Sequence, residues 1–254
     1  MHAQPALRQR IRKTLIIISF LFFPLFMNYL SPYVIIDGAS RGILNGSVVS
    51  FALMFLGSLF LGRLWCGWVC PAGGLQEIAL PVNNKPVNGK KIDWIKWALW
   101  FPWLAVIVWS LVSAGGYRSI DLLLDTQNGI SVAGSADRPI LYAYIIYYGV
   151  VFLFFLLAVF AGRRAGCHTI CWMAPFMILG RKIGNIIRLP ALRLKADPTA
   201  CSSCLTCTAN CPMSLDVNAM VQKADMEHSE CILCATCADG CAQKAIRFSF
   251  NAGK

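Results

Sequence analysis

Histidine, acidic side chains and charge in general are scarce in this chain. Of its 254 residues only 14% are charged, with 12 Asp and Glu against 23 Lys and Arg, and there are 3 histidines. His2, His168 and His228 all fall outside the apolar runs, so no span offers the axial pair that a membrane b-haem needs. No Cys-x-x-Cys-His segment occurs, which removes covalent c-haem. The absence of a Gly-x-Gly-x-x-Gly and of a P-loop leaves no dinucleotide or nucleoside triphosphate site indicated. The net charge of +11 comes without an aromatic-interleaved basic stripe in any polar segment, which argues against nucleic acid. Cysteine is missing outside a few short-spaced groups. A disulfide framework, with its irregular long spacings in an oxidising compartment, is therefore not expected.

What the chain has in excess is apolar sequence, at 57%, and most of it lies before Gly162. Four stretches approach the roughly 20 residues that cross a bilayer: Thr14 to Ile36, Ile43 to Leu61, Trp94 to Ala114 and Leu141 to Ala161. Trp94, Trp97, Trp100 and Trp103 in the third, and Tyr142, Tyr144, Tyr147 and Tyr148 in the fourth, suit an interfacial belt. Arg8, Arg10, Arg12 and Lys13 precede the first stretch. Arg63, Lys85, Lys90, Lys91 and Lys96 lie between the second and third, and Arg163, Arg164, Arg181, Lys182, Arg188, Arg193 and Lys195 follow the fourth. The two remaining loops hold only Arg41, Arg118 and Arg138, the longer one balanced by Asp121, Asp125 and Asp137. The positive-inside rule then puts both termini in the cytoplasm of a prokaryotic inner-membrane protein. A cleaved signal peptide is the rival reading of the first stretch. Its length, Pro24, Asn28 and the lack of a small-x-small site oppose that.

The chain repeats itself. Gly62-Arg63 and then Cys66-x3-Cys70 follow the second stretch; Gly162-Arg163-Arg164 and then Cys167-x3-Cys171 follow the fourth. A duplicated two-helix unit is the simplest reading. Residues four apart share a helix face, so each pair can offer two thiolates on one side, and both pairs fall on the same side of the membrane. A shared four-thiolate metal or cluster site, a redox-active dithiol, and plain helix packing by small apolar cysteines are the alternatives. Arg63 and Arg164 stand where they can offset thiolate charge. His168 reads as a neighbour of such a site more than as a ligand.

The most specific signal is Cys201-x2-Cys204-x2-Cys207-x3-Cys211-Pro212, repeated as Cys231-x2-Cys234-x2-Cys237-x3-Cys241. This is the spacing of a two-cluster bacterial ferredoxin, in which the fourth cysteine of each run serves the other cluster. Cys201, Cys204, Cys207 and Cys241 are then expected to hold one [4Fe–4S] cluster, and Cys231, Cys234, Cys237 and Cys211 the other. A zinc module would favour two separated pairs instead. The expected fold is a mainly α membrane domain with four transmembrane helices over residues 1–181, a basic linker at 182–199, and an α+β ferredoxin domain at 200–254. Ile183, Ile186, Ile187 and Leu189 suggest that part of the linker lies on the membrane surface.

With these motifs in place, the layout resembles the NapH-type membrane ferredoxins over nearly the whole chain: four apolar stretches, Cys66-Gly67-Trp68-Val69-Cys70-Pro71 after the second, Cys167 to Cys171 after the fourth, then the two runs. The second unit departs from the family's Cys-x3-Cys-Pro, since Trp172 follows Cys171 and Pro175 comes later. The resemblance implies quinol oxidation coupled to partner redox subunits of a hetero-oligomeric complex, with iron–sulfur centres and no haem or nucleotide. It also leaves open a metal reductase or assembly factor, for example for copper, and a redox-sensing scaffold. Glu77 is a candidate proton acceptor for quinol oxidation, with an exposed interfacial carboxylate as the alternative; Asp121 and Asp125 are weaker candidates.

Overall fold

A computed structural model describes residues 6–133 and 139–252. His2, Asp137 and Arg138, used above to count haem ligands and loop charge, lie outside the described residues.

The chain opens with α1 (Leu7–Phe26), which carries Pro24 in its last turn and gives way to a 3₁₀ turn at Met27–Leu30. Helix α2 (Pro32–Arg41) restarts the direction, with Ser31 accepting from the Val34 N–H and Pro32 at the first turn, where a missing N–H costs nothing. A short strand β1 (Ile43–Asn45) leads into α3 (Gly46–Leu61), capped by the Asn45 side chain, which accepts from Val48 N at 3.0 Å and donates to Val34 O at 2.7 Å. Helices α4 (Leu64–Trp68) and α5 (Pro71–Ile78) are short. Helix α6 (Gly89–Ser113) is long, and strand β2 (Ser119–Asp121) after it pairs in parallel with β1. Then come α7 (Ile140–Ala161), α8 (Ala165–Thr169) and α9 (Ala174–Ile186).

Among the described residues, three helical segments are long and apolar enough to cross a membrane: Leu7–Arg41, Lys91–Ser113 and Ile140–Ala161. The second expected span is the shorter α3. Its 16 residues rise about 24 Å, against a hydrocarbon core of about 30 Å. The tryptophans of α6 divide between surface and core. Trp94 is exposed, while Trp100 packs edge-on against Phe176 and Trp103 donates to Pro32 O at 3.1 Å.

Two stretches have the same order of parts. Helices α3 and α7 each end on a glycine with positive φ, Gly62 at 54° and Gly162 at 107°, a conformation side chains rarely adopt. A short helix carrying the first cysteine pair member follows each, and then a helix with proline in its first turn. Helix α9 lies back along α3. At Gly180 a Cβ would collide with the Ser58 hydroxyl, and at Gly184 it would come within 2.7 Å of Leu59 O, so the two small positions set the close approach.

The C-terminal part is not preceded by a linker. Residues 182–186 complete α9, and β3 (Ala191–Ala196) pairs antiparallel with the last strand, β4 (Ile246–Asn251), from Ala191↔Asn251 to Ala196↔Ile246. The reason is local: Leu192 and Leu194 alternate with Arg193 and Lys195, a strand pattern inside a segment that reads as merely basic. Between the strands lie α10 (Thr206–Ala209), α11 (Val217–Gln222) and α12 (Thr236–Asp239). Ile186 and Ile187, at the end of α9, are exposed as a surface-lying segment would require.

Three cysteine sets and the charges that join them

The two four-cysteine runs have the same backbone. Ser203 and Leu205 in the first, and Leu233 and Ala235 in the second, take positive φ between 50° and 64° although none is glycine. Ser214 and Lys244 repeat the pattern after the last cysteine of each run. Such conformations cost energy and persist only where surroundings demand them. Here they curl each Cys-x2-Cys loop tightly, and Ser203 N–H reaches Cys201 Sγ at 3.4 Å. The curled loops line two cavities. One is bounded by Cys201, Cys204, Cys207 and Cys241, together with Val221, Ala245 and Ile246. The other is bounded by Cys211, Cys231, Cys234 and Cys237, together with Met213, Met226 and Ile232. In both, three cysteines of one run meet the fourth of the other.

The donor chemistry suits a cation-rich guest. Burial, aided by Cys234 and Cys211 nearby, pushes the Cys231 thiol up to about 12. Burial likewise raises Cys211 to about 11. Thiols held that high carry protons until positive charge arrives to stabilise the thiolates, as the irons of a bound cluster would. At Cys204, on the surface, hydrogen bonding to Thr206 lowers the thiol instead.

Cys66, Cys70, Cys167 and Cys171 are all buried, and each side of this set feels the other. Burial raises Cys171 to about 12, with Cys167 and then Cys66 adding to the rise. Cys70 rises through burial and through Cys66, Cys167 and Cys171. Both Cys-x3-Cys pairs therefore converge on one place. A single tetrahedral ion with metal–sulfur bonds of about 2.3 Å would need its sulfurs about 3.8 Å apart. Among the described residues, no three cysteine sulfurs lie within 4.8 Å of one another; the set that does is Asp93, His168 and Glu230. Gln76, fully buried, donates to Cys167 Sγ at 3.3 Å and accepts from Gly166 N at 2.9 Å. Met177 Sδ lies 4.0 Å from Cys66 Sγ.

The charges around these sulfurs are paired in ways that sequence order hides. Arg63 donates to Glu230 Oε2 at 2.6 Å and to Ser229 O at 3.1 Å, while Lys96 Nζ lies 2.7 Å from Glu230 Oε1. Glu230 directly precedes Cys231, so this buried triad fastens the second run to the end of α3 and to α6. Burial alone would raise the Glu230 carboxyl; Arg63 and Lys96 outweigh it and hold it at about 2. Burial raises the Cys66 thiol, and Arg63 offsets only part of that rise. His168 is buried beside this triad with Nδ1 2.5 Å from Asp93 Oδ1, itself 3.5 Å from Lys96 Nζ. The Asp93–His168–Glu230 group is thus already neutralised by a lysine and an arginine, which leaves no charge deficit for a divalent ion.

Glu77 is neither exposed nor a free proton acceptor. Arg12 grips it through both oxygens at 2.7 and 3.0 Å, and Arg164 Nη2 lies 2.5 Å from Oε1. Arg164, fully buried, also donates to Cys66 O at 2.8 Å. Burial would raise Glu77, but Arg164 and Arg12 hold it below the ordinary carboxylate range. It ties α1, α5 and the α7–α8 turn together. Asp121 and Asp125 lie in and after β2, far along the chain from any cysteine.

The second run sits directly on α1 and α4. At Gly67 a Cβ would strike Ile232 O, Trp68 Nε1 donates to Leu233 O at 3.1 Å, and Gln9 Nε2 donates to Cys234 O at 2.9 Å. Gly67 and Trp68 stand between Cys66 and Cys70. The two cysteine sets therefore meet back to back across one backbone layer. By contrast Cys204 and Leu205 of the first run face solvent.

Sequence reasoning missed Gln76, Asp93, Lys96 and Glu230. Lys96 carried the available signal: a cation three residues after an aspartate, inside an apolar helix, needs a buried partner.

Residues 46–87, which span α3 to α5 and hold Cys66 and Cys70, match a family described as a 4Fe-4S binding domain. An uncharacterized protein of Methanocaldococcus jannaschii is 28% identical over 95% of this chain and 94% of its own length. The methylamine utilization ferredoxin-type protein MauN of Paracoccus denitrificans is 23% identical over 81% of this chain and 68% of its own. The ferredoxin-type protein NapH of Haemophilus influenzae is 23% identical over 80% and 68%. No solved structure matches. Apolar helices of membrane-crossing length, the cysteine runs and these ferredoxin-type relatives together make the chain similar to the NapH-type membrane ferredoxins and support an iron–sulfur electron-transfer role.

Proposed function

We propose that the chain is a membrane-anchored relay that passes electrons between the quinone pool and a redox partner through three [4Fe–4S] clusters. Cys201, Cys204, Cys207 and Cys241 would hold the outer one, Cys211, Cys231, Cys234 and Cys237 the middle one, and Cys66, Cys70, Cys167 and Cys171 the innermost. The observation that carries this reading is the stacking of the three cysteine sets: a solvent-facing run, a run seated on Gly67 and Trp68, and the buried set around those same residues. When bound, the clusters supply one-electron carriers whose potentials follow hydrogen bonding and solvation. The protein's own contribution is positional. Arg63, Lys96 and Glu230 fix the middle set against the inner one, Gln76 gives Cys167 a hydrogen bond, and Arg12, Glu77 and Arg164 brace the inner set.

The four-cysteine reading of the inner site draws support from the burial of all four cysteines beside one another and from the matched family, whose region covers Cys66 and Cys70. The repeated order of parts after Gly62 and Gly162 supports a duplicated unit, with α3 as a short fourth span. The basic segments before α1, after α3 and after α7 favour a cytoplasmic position for both termini and both ferredoxin runs. The test is anaerobic reduction of the purified chain in nanodiscs by ubiquinol or menaquinol, followed as bleaching of the cluster absorbance. Bleaching by quinol supports the relay. Bleaching by dithionite but by no quinol refutes the quinone link.

A further inference from the structure

A cavity of about 480 Å³ runs along α3 from Ser50 to Gly62 and ends on α4. The stretch of helix it follows is about 17 Å long. Its walls are apolar, among them Leu53, Met54, Leu61 and Trp68, and Leu53 and Leu61 are also exposed on the outer face of α3, so the groove opens toward lipid. Two polar features stand out. The Ser58 hydroxyl is satisfied by Phe55 O at 2.6 Å, whereas Trp65 Nε1 is buried without any acceptor. An indole N–H out of water without a partner costs free energy that a ligand oxygen can recover. At the same end lies Met177, whose sulfur is 4.0 Å from Cys66 Sγ. One side chain separates the groove from the inner cysteine set.

We propose that this groove is where an isoprenoid quinol binds, its ring at the Trp65–Met177 end and its tail running toward Ser50 and the lipid. The proposal rests on the quinol-linked reading above. The length, the lipid-side opening and the nearly wholly apolar lining fit a ring with a prenyl tail and do not fit a polar metabolite. The ring oxygen supplies the acceptor that Trp65 lacks. On oxidation the quinol loses its two O–H hydrogens as two electrons and two protons. The electrons pass singly to the iron–sulfur centres, which are reduced, and the quinone leaves along the groove. The protons go to water at the polar cleft that shares Gly62 with the groove and is lined by Arg181, Glu227 and His228.

Gly57 provides the discriminating variant. It lies on the groove wall, and a Cβ there meets nothing within 4 Å, so Gly57→Leu starts its side chain in open space at the groove. Trp65→Phe keeps an aromatic ring, though a smaller one, and drops the N–H. The full chain in nanodiscs is irradiated with a photoreactive azidoquinone, and quinol-driven bleaching is measured in parallel, with iron content and dithionite reduction as fold controls. Label on the Ser50–Val69 peptide, competed by unlabelled quinone and lost in Gly57→Leu, is expected. So is a rise of at least about ten-fold in the quinol concentration for half-maximal reduction in Gly57→Leu, and of about five-fold in Trp65→Phe. Label elsewhere, or label and reduction indifferent to Gly57→Leu, overturns the site while leaving the quinol link standing. If quinol reduces no cluster in the parent chain, the link falls, and the labelling alone decides whether the groove binds quinone: competed label in the groove sustains it, and its absence overturns it.

Discussion

The two ferredoxin runs share spacing, backbone and even the places where non-glycine residues turn left-handed, yet they live in different surroundings. The first run shows Cys204 and Leu205 to solvent. The second buries Cys234 and Cys237 and is held by Gln9, Trp68 and the Arg63–Glu230–Lys96 triad. One local code thus gives two sites whose roles are set by their neighbours. Because cluster potentials follow solvation and hydrogen bonding, clusters held by the two sets would be distinguishable, and in the proposed relay the exposed one would serve as the exit toward a partner.

The comparison breaks most sharply at the shared fourth cysteines. Cys241→Ser should remove the cluster of the first run, and Cys211→Ser that of the second, each costing about four irons per chain, with the lost signal identified by electron paramagnetic resonance. Loss from the substituted residue's own run would refute the exchanged pairing. Next in size is Glu230→Ala, which strands Arg63 and Lys96, both nearly fully buried. It should cost about 3–5 kcal/mol and make the second run as vulnerable to an iron chelator as the first, as chelation kinetics would show. In the parent chain the chelator should empty the exposed first run well before the second.

Glu77→Ala should cost a similar amount within the membrane domain, since Arg12 and Arg164 are left unpaired in burial. Its pH behaviour has a definite sign. The carboxyl is lower in the folded protein than its ordinary value, so its contribution is complete above the ordinary carboxylate range, at about pH 4.3. It is lost as the pH falls below that range through the depressed value. Thermal unfolding followed below pH 5 should decline less steeply in Glu77→Gln than in the parent chain. The smallest effect is expected at Arg8→Ala. Arg8 pairs with Asp239 beside the second run but is half exposed, and its loss should cost about 1 kcal/mol or less.

The cysteine runs were legible because their spacing encodes geometry locally: three thiolates close together need no distant partner to be recognised. Pro24 and Asn28, read as features unlike a signal peptide, also mark the place where α1 breaks into the 3₁₀ turn. Strand β3 was written in the alternation of Leu192 and Leu194 with Arg193 and Lys195, but a basic, proline-flanked segment masked it. Three charged residues of the site read from the sequence as a loop's positive bias, a neighbour of the thiolates or a possible base, and none as a member of a buried ion pair. Arg63, Lys96 and Glu77 find partners 167, 134 and 65 or 87 positions away, so only the fold reveals that they are buried ties. The separation that makes such pairs illegible also makes them fasten distant parts of the chain.

The central claim is the three-set relay, and iron and acid-labile sulfide counted on anaerobically purified chain test it most directly. The account predicts about twelve of each per chain, falling to about eight in Cys66→Ala with the signals of both runs unchanged. A parent chain holding about eight, with the same number in Cys66→Ala, would contradict it.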